Sequence, residues 1–130
     1  MFPQPTTPNF GEDLVARNIQ RGRDHGLPGY CCYYNLHVDK NFNCNNGWDK
    51  RYNGISQTNW NLLKTIYKNP SDIDVFTGGL AQDPHNGGLT GQVFQKMKRK
   101  ILILSTNGYQ YSKISVSFML TLFYTVKIKV

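Results

Sequence analysis

Read as a helix at about 100° per residue, segment 13–25 brings Leu14, Val15, Asn18, Arg21, Gly22 and His25 within about 120° of one another. Arg17, Ile19, Gln20, Arg23 and Asp24 fall elsewhere on the wheel. The face with Leu14 and Val15 is the one expected to be buried, yet it also carries an amide, a guanidinium and an imidazole. Buried groups of that kind need partners, because each one left unpaired costs roughly 1–3 kcal/mol. Gly22 costs roughly 1 kcal/mol against Ala in mid-helix, and it is explained if something must approach the backbone closely. Pattern alone leaves two readings: a half-exposed face, or a buried one whose polar side chains meet partners.

Other candidates for chemistry are sparser. Cys31, Cys32 and Cys44 cannot all pair within one chain. One disulfide from Cys44 to either neighbour, and no disulfide at all, both fit. Neither the cysteines nor the dispersed His25, His37 and His85 have zinc-site spacing. Asp72 and Asp74 read as capping or surface residues rather than metal ligands. The net charge of +7 is scattered, densest at Lys96, Lys98, Arg99 and Lys100. It reads as a solvated basic stretch with no nucleic-acid role.

The elements that must position these residues follow from breakers and periodicity. The 130 residues fit one domain, and with 39% apolar residues the core is lean. Residues 1–11, with Pro3, Pro5 and Pro8, read as an extended lead-in. A helix is expected over 12–25, with Glu12 and Asp13 in its first turn and Gly26 and Pro28 as its stop. Residues 31–54 show no sustained period and read mostly as loop. Asn59 to Tyr67 reads as a second helix with Trp60, Leu63 and Tyr67 on one face and Leu62 and Ile66 beside it. A short third helix is expected through Ile73, Val75 and Phe76, capped by Ser71 or Asp72 and stopped by Gly78 and Gly79. A Gly-rich loop, 82–91, follows, with a helical pattern restarting near Thr90. The runs Ile101–Leu104 and Ser115–Val130 are apolar and β-branched and read as strand-like. Met1 to Pro5 has neither the basic nor the apolar region of a signal peptide. The most apolar stretch, Val116–Val126, is short of the ~20 residues of a membrane-spanning helix, so no membrane span is expected.

The run Asp13-Leu14-Val15-Ala16-Arg17-Asn18-Ile19-Gln20-Arg21-Gly22-Arg23-Asp24-His25-Gly26-Leu27-Pro28-Gly29-Tyr30 closely resembles the signature of the animal haem peroxidase family. A second block agrees in order and distance: Ile66-Tyr67, Asp72 to Leu80, Gly87 to Gly91, and Phe94. The resemblance implies a mainly α fold, here a loop-rich fragment of the helical peroxidase domain with a strand-like or disordered C-terminal tail. It covers a partial peroxidase domain at 12–95, after the lead-in and before a divergent tail at 96–130. It also implies haem as cofactor. The Asn matching Asn18 accepts the ring N–H of the proximal haem-ligand histidine. The Arg matching Arg21 contacts a haem propionate, for which a guanidinium fork is suited. Leu14 adds apolar packing near the haem, while Arg23, Asp24 and His25 are structural.

In the family the proximal histidine, the distal histidine with its arginine, the haem-linked acids and the calcium site all come from upstream segments. Partners are therefore haem and that upstream part of the domain, and the isolated chain is expected to be inactive. The alternative is a non-enzymatic truncated paralogue or binding product. By resemblance the parent is secreted or extracellular. Gln82 stands where relatives commonly carry Glu, Cys31-Cys32 replaces a usual polar pair, and the helix expected after Phe94 is not recognisable.

Overall fold

A computed structural model describes residues 13–106, with side chains through Lys100. The lead-in, Glu12 and the apolar run after residue 106 lie outside the described residues. Five helices carry the described chain, and its only β pairing is an isolated antiparallel bridge between Ile55 and Gln82. The expected mainly α class is what the structure has.

Helix α1 spans Leu14–Asp24. Asp13 precedes it rather than lying inside the first turn: it is the N-cap, and its Oδ1 accepts from Val15 N at 3.0 Å and Ala16 N at 3.2 Å. A short carboxylate just ahead of the helix reaches amides that have no carbonyl partner of their own. The stop is as expected. Leu27 N bonds Gly22 O at 2.9 Å and Gly26 N bonds Arg23 O at 3.0 Å, with Gly26 at φ 63°. That pair of bonds is a Schellman closure, which needs the left-handed backbone that glycine adopts without penalty.

The loop expected over 31–54 is only partly a loop. Helix α2 occupies Tyr30–His37, although Tyr, Cys and Asn are mediocre helix formers. Packing decides here: Tyr30, Cys31 and Tyr34 are buried on one side, and Tyr30 N donates to Ile73 O at 2.7 Å. Cys31 pairs with Cys44, Cα atoms 5.9 Å apart, which settles the open pairing and leaves Cys32 free and exposed. The bridge closes an Asn-rich loop built on two side-chain turns, Asp39 Oδ1 accepting from Asn41 N and Asn43 Oδ1 from Asn45 N. A 3-10 turn, Gly47–Asp49, follows.

Helix α3 is Gln57–Ile66, capped by Ser56 Oγ accepting from Asn59 N at 3.2 Å. Trp60 and Leu63 are buried, whereas Leu62 and Ile66 are 57% and 70% exposed. Tyr52 lies at the centre of an aromatic core, with the rings of Tyr30, Tyr34, Phe42 and Trp60 all within 5.5 Å of its own. Rings at such spacings attract beyond their buried area, by about 0.5–1.5 kcal/mol per pair.

After a 3-10 turn at Pro70–Asp72, helix α4 runs Val75–Ala81 with Asp74, not Ser71 or Asp72, at its N-cap position. Gly78 and Gly79 do not end it; they lie inside it. A Cβ on Gly78 would overlap the ring of Tyr30, and one on Gly79 would overlap the ring of Phe94. The two glycines let α2 and the next helix seat aromatic rings on the α4 backbone.

That next helix, α5, is Gln92–Thr106. Ile101–Leu104 is thus helical, not strand-like. An apolar run is ambiguous between the two states; propagating an existing helix is cheap while nucleating anything new is costly. Val93, Phe94 and Met97 are buried. Gln82 links the start of α5 to the Tyr52 loop, its Oε1 accepting from Val93 N at 3.0 Å and its Nε2 donating to Asn53 O at 3.2 Å.

Helix α1 is tied to α4 by a charged clamp. Arg23 Nε and Nη2 donate to the two carboxylate oxygens of Asp74 at 2.9 and 2.8 Å. Tyr67 Oη also donates to Asp74, at 2.8 Å. The Arg23 hydrogen bonds hold the Asp74 carboxyl below its ordinary 3.8, assisted by Tyr67 and opposed by burial. Arg23 is more than half exposed, so solvent screens the pair and its contribution is modest.

Two outcomes follow. Gly78→Ala is expected to lower the urea midpoint despite alanine's better helix propensity, because overpacking a tight contact costs about 1–3 kcal/mol; a midpoint at or above that of the parent chain would show that the Tyr30 contact yields easily. For Asp74, a depressed carboxyl contributes stability that is complete above 3.8 and is lost as pH falls through its lower folded value. Urea midpoints measured against pH should therefore fall less steeply below 3.8 in Asp74→Asn than in the parent, and identical slopes would remove Asp74 from the acid response.

Candidate functional site

Helix α1 does not present its six-residue polar and apolar face uniformly. Asn18 is 0% exposed, with its Oδ1 buried, and Gly22 is buried beside it. Leu14 and Arg21 are half-buried on the rim of that strip, and neither lines the cleft onto which Asn18 and Gly22 open. Val15 is 38% exposed and His25 is exposed. The two readings open from pattern alone are thus both partly right: the middle of the face is buried and its margins are not.

Asn18 and Gly22 open on a cleft of about 220 Å³ between α1 and the segment leading into α4. Ile19, Gly29, Asp74 and Phe76 also line it. The fold holds this cleft open by two devices already described. The Arg23–Asp74 clamp fixes the end of α1 against the start of α4, and the Gly26 closure turns the chain into Gly29 and Tyr30. At about 220 Å³ it is smaller than the roughly 300–1,000 Å³ of most small-molecule sites. It suits a side chain or one edge of a larger planar group better than a whole macrocycle.

The chemistry on offer is that of a supporting layer. A primary amide has a carbonyl oxygen that accepts an N–H and an NH2 that donates. Arg21, one turn on, carries a rigid fork of donors matched to a carboxylate. An imidazole N–H and a carboxylate such as a haem propionate are among the groups such a pair fits, so these residues are compatible with a supporting role toward haem. They do not supply a ligand set for its iron. Among the described residues no three His, Cys, Asp or Glu are gathered as a metal site. The ring of His25 is turned back on its own helix, with Nδ1 2.8 Å from Arg21 O, and His25 does not line the cleft. His37, half-buried, is held below the ordinary imidazole range by burial, and by Lys100 and Lys96 on α5.

Two features of the site escaped the sequence. Ile19 was placed off the face, yet it is half-buried on the cleft wall. Asp74 reads in sequence as a capping or surface residue; it does hold the N-cap position of α4, and it is also mostly buried and ion-paired to Arg23. Nothing local marks that pair, since its members stand 51 residues apart.

The family model described as animal haem peroxidase matches residues 1–104. Peroxidase-like protein 3 of Lottia gigantea is 40% identical over 86 residues, covering 66% of this chain and 26% of that protein. Peroxidasin of Drosophila melanogaster is 41% identical over 86 residues, 64% of this chain and 5% of its own length. Thyroid peroxidase of Rattus norvegicus is 38% identical over 88 residues, 63% of this chain and 9% of its own length. The chain thus spans about a quarter or less of these relatives. No solved structure matches it. With the match running over most of its length and across the cleft-forming helices, the chain belongs to the animal haem peroxidase family.

Proposed function

We propose that this chain supplies the proximal-side helix of a haem peroxidase, an oxidoreductase that uses hydrogen peroxide. The observation that carries the reading is the placement of Asn18, fully buried on a cleft-lining strip, with Arg21 one turn further along at its half-buried rim. Bound haem would supply the redox chemistry with peroxide, and its partner in the assembled domain is the upstream part of the peroxidase fold. Asn18 Oδ1 accepts the N–H of the imidazole that ligates the iron. That bond sets the tautomer and ring orientation and makes the ligand more basic. Arg21 pairs its fork with a propionate, and Leu14 gives apolar contact at the edge of the macrocycle. No catalytic residue is assigned within this chain, so by itself it is inactive. The Cys31–Cys44 disulfide favours an oxidising compartment, and with it a secreted or extracellular parent.

The test uses the full peroxidase domain carrying this segment. Asn18→Leu is expected to raise the iron midpoint potential, because a less basic imidazole stabilises the oxidised iron less. Arg21→Ala is expected to lower haem retention with a smaller effect on the potential. Wild-type potential and haem content in both variants would sink the assignment. The 130-residue chain alone, given haem and peroxide, is expected to show no turnover above free haem.

A further inference from the structure

One set of side chains is not used by the proximal-helix role. Tyr30, Tyr52, Trp60 and Trp48 form an unbroken line of rings, with successive centroids 5.0, 5.5 and 4.8 Å apart. Tyr30 is 0% exposed. It lies on α4 at Gly78 and directly follows Gly29, a residue of the cleft wall. The other end, Trp48, is only half-buried. The line therefore leads from beside the cleft to the surface of the described residues, with neighbouring rings in van der Waals range throughout. Electron transfer is fast over such short steps because electronic coupling falls steeply with distance.

The hydrogen bonds decide where an oxidising equivalent would settle. Loss of an electron makes a phenol strongly acidic, so a tyrosine holds the charge only if a base takes its proton. Tyr30 Oη is buried and has no hydrogen-bond partner among the described residues. Among the described residues Tyr52 Oη donates to a backbone carbonyl alone, Pro70 O at 3.4 Å. Neither has a carboxylate at its hydroxyl of the kind Tyr67 has in Asp74. An oxidised indole keeps its N–H far more readily. Trp60 Nε1 donates to Trp48 O at 3.2 Å, and Trp48 Nε1 donates to Lys68 O at 3.0 Å. Each carbonyl dipole stabilises positive charge on its indole without removing the proton. The two tryptophans are the resting places, and Trp48 is the one a solute can reach.

We propose that Trp48 is a surface oxidation site for phenolic reductants, connected through Trp60, Tyr52 and Tyr30 to the wall of the cleft. In the step, one electron passes from Trp48 along the line to an oxidising metal complex (oxidised haem under the proposed function, ruthenium(III) in the test below), which is reduced by one electron. A phenol then returns one electron to the oxidised indole and releases its own proton to water. The Nε1 hydrogen of Trp48 stays in place. The site rests on the haem peroxidase reading for its natural oxidant, but the line of rings does not, and the experiment separates the two.

Cys32, exposed and unpaired, takes a ruthenium polypyridyl photo-oxidant on the full chain. Flash excitation with an external electron-accepting quencher then generates the oxidant without haem. Native folding is checked by near-ultraviolet circular dichroism. The expected result is the absorption of an oxidised indole, its decay accelerated by 2,6-dimethoxyphenol, and a product modified at Trp48 by peptide mass mapping. Trp48→Phe should keep an indole signal from Trp60 but lose the acceleration several-fold. Trp60→Phe should lower Trp48 modification several-fold. Modification of Tyr33 beside the label in place of Trp48, undiminished acceleration in Trp48→Phe, or undiminished Trp48 modification in folded Trp60→Phe would each overturn the proposal. If Trp60→Phe does not fold, the half-buried Trp48→Phe and the wild-type map decide. Failure here leaves the Asn18 potential measurement untouched.

Discussion

The absence of two side chains on α4 is the constraint on which the remainder of the structure depends. Gly78 and Gly79 bare the helix backbone on adjacent positions, and the rings of Tyr30 and Phe94 occupy the space that Cβ atoms would take. Interiors pack at crystal-like density, so a methyl group at either position has nowhere to go. Through Tyr30 the contact seats α2, and through Phe94 it seats α5. Through Asp74, at the front of the same helix, α4 also holds Arg23 and with it α1. A helix of seven residues thus carries contacts to three others.

The arginines of α1 divide the work. Arg23 points across to Asp74 and holds the helix, while Arg21 lies at the half-buried rim of the strip that contains Asn18. Two residues apart on a helix is about 200° of rotation, so the clamp and the strip that contains Asn18 do not compete for one surface. Gly22, between them, is buried and lines the cleft. Its carbonyl also receives the Leu27 amide that closes the helix.

The aromatic core depends on the same geometry at one remove. Tyr30 is fixed over Gly78, Tyr52 packs edge-on to Tyr30, and Trp60 edge-on to Tyr52. The Cys31–Cys44 bond and the two Asx turns hold the intervening loop so that Phe42 stacks on Tyr52 at 4.6 Å. Stability and the proposed electron route therefore share the same rings.

What the sequence determined by itself was whatever neighbours along the chain decide. The span of α1, its Gly26 stop, the Trp60 and Leu63 face of α3, and the signature that carries Asn18 and Arg21 all depend on caps, breakers and period within a few residues. What only the tertiary structure decided was set by partners far along the chain. Helix α2 forms from mediocre helix formers because Tyr30 meets Gly78, and Gly78 and Gly79 sit inside α4 rather than ending it for the same reason. Cys44 chose Cys31 over Cys32 because α2 turns Cys31 inward, to 2% exposure, and Cys32 outward. Asp74 became a clamp because the fold brought Arg23 to it across 51 residues. Local signals are legible because their free energy is spent between residues close in sequence. Packing and ion pairing act between residues close in space, and no periodicity records which those will be.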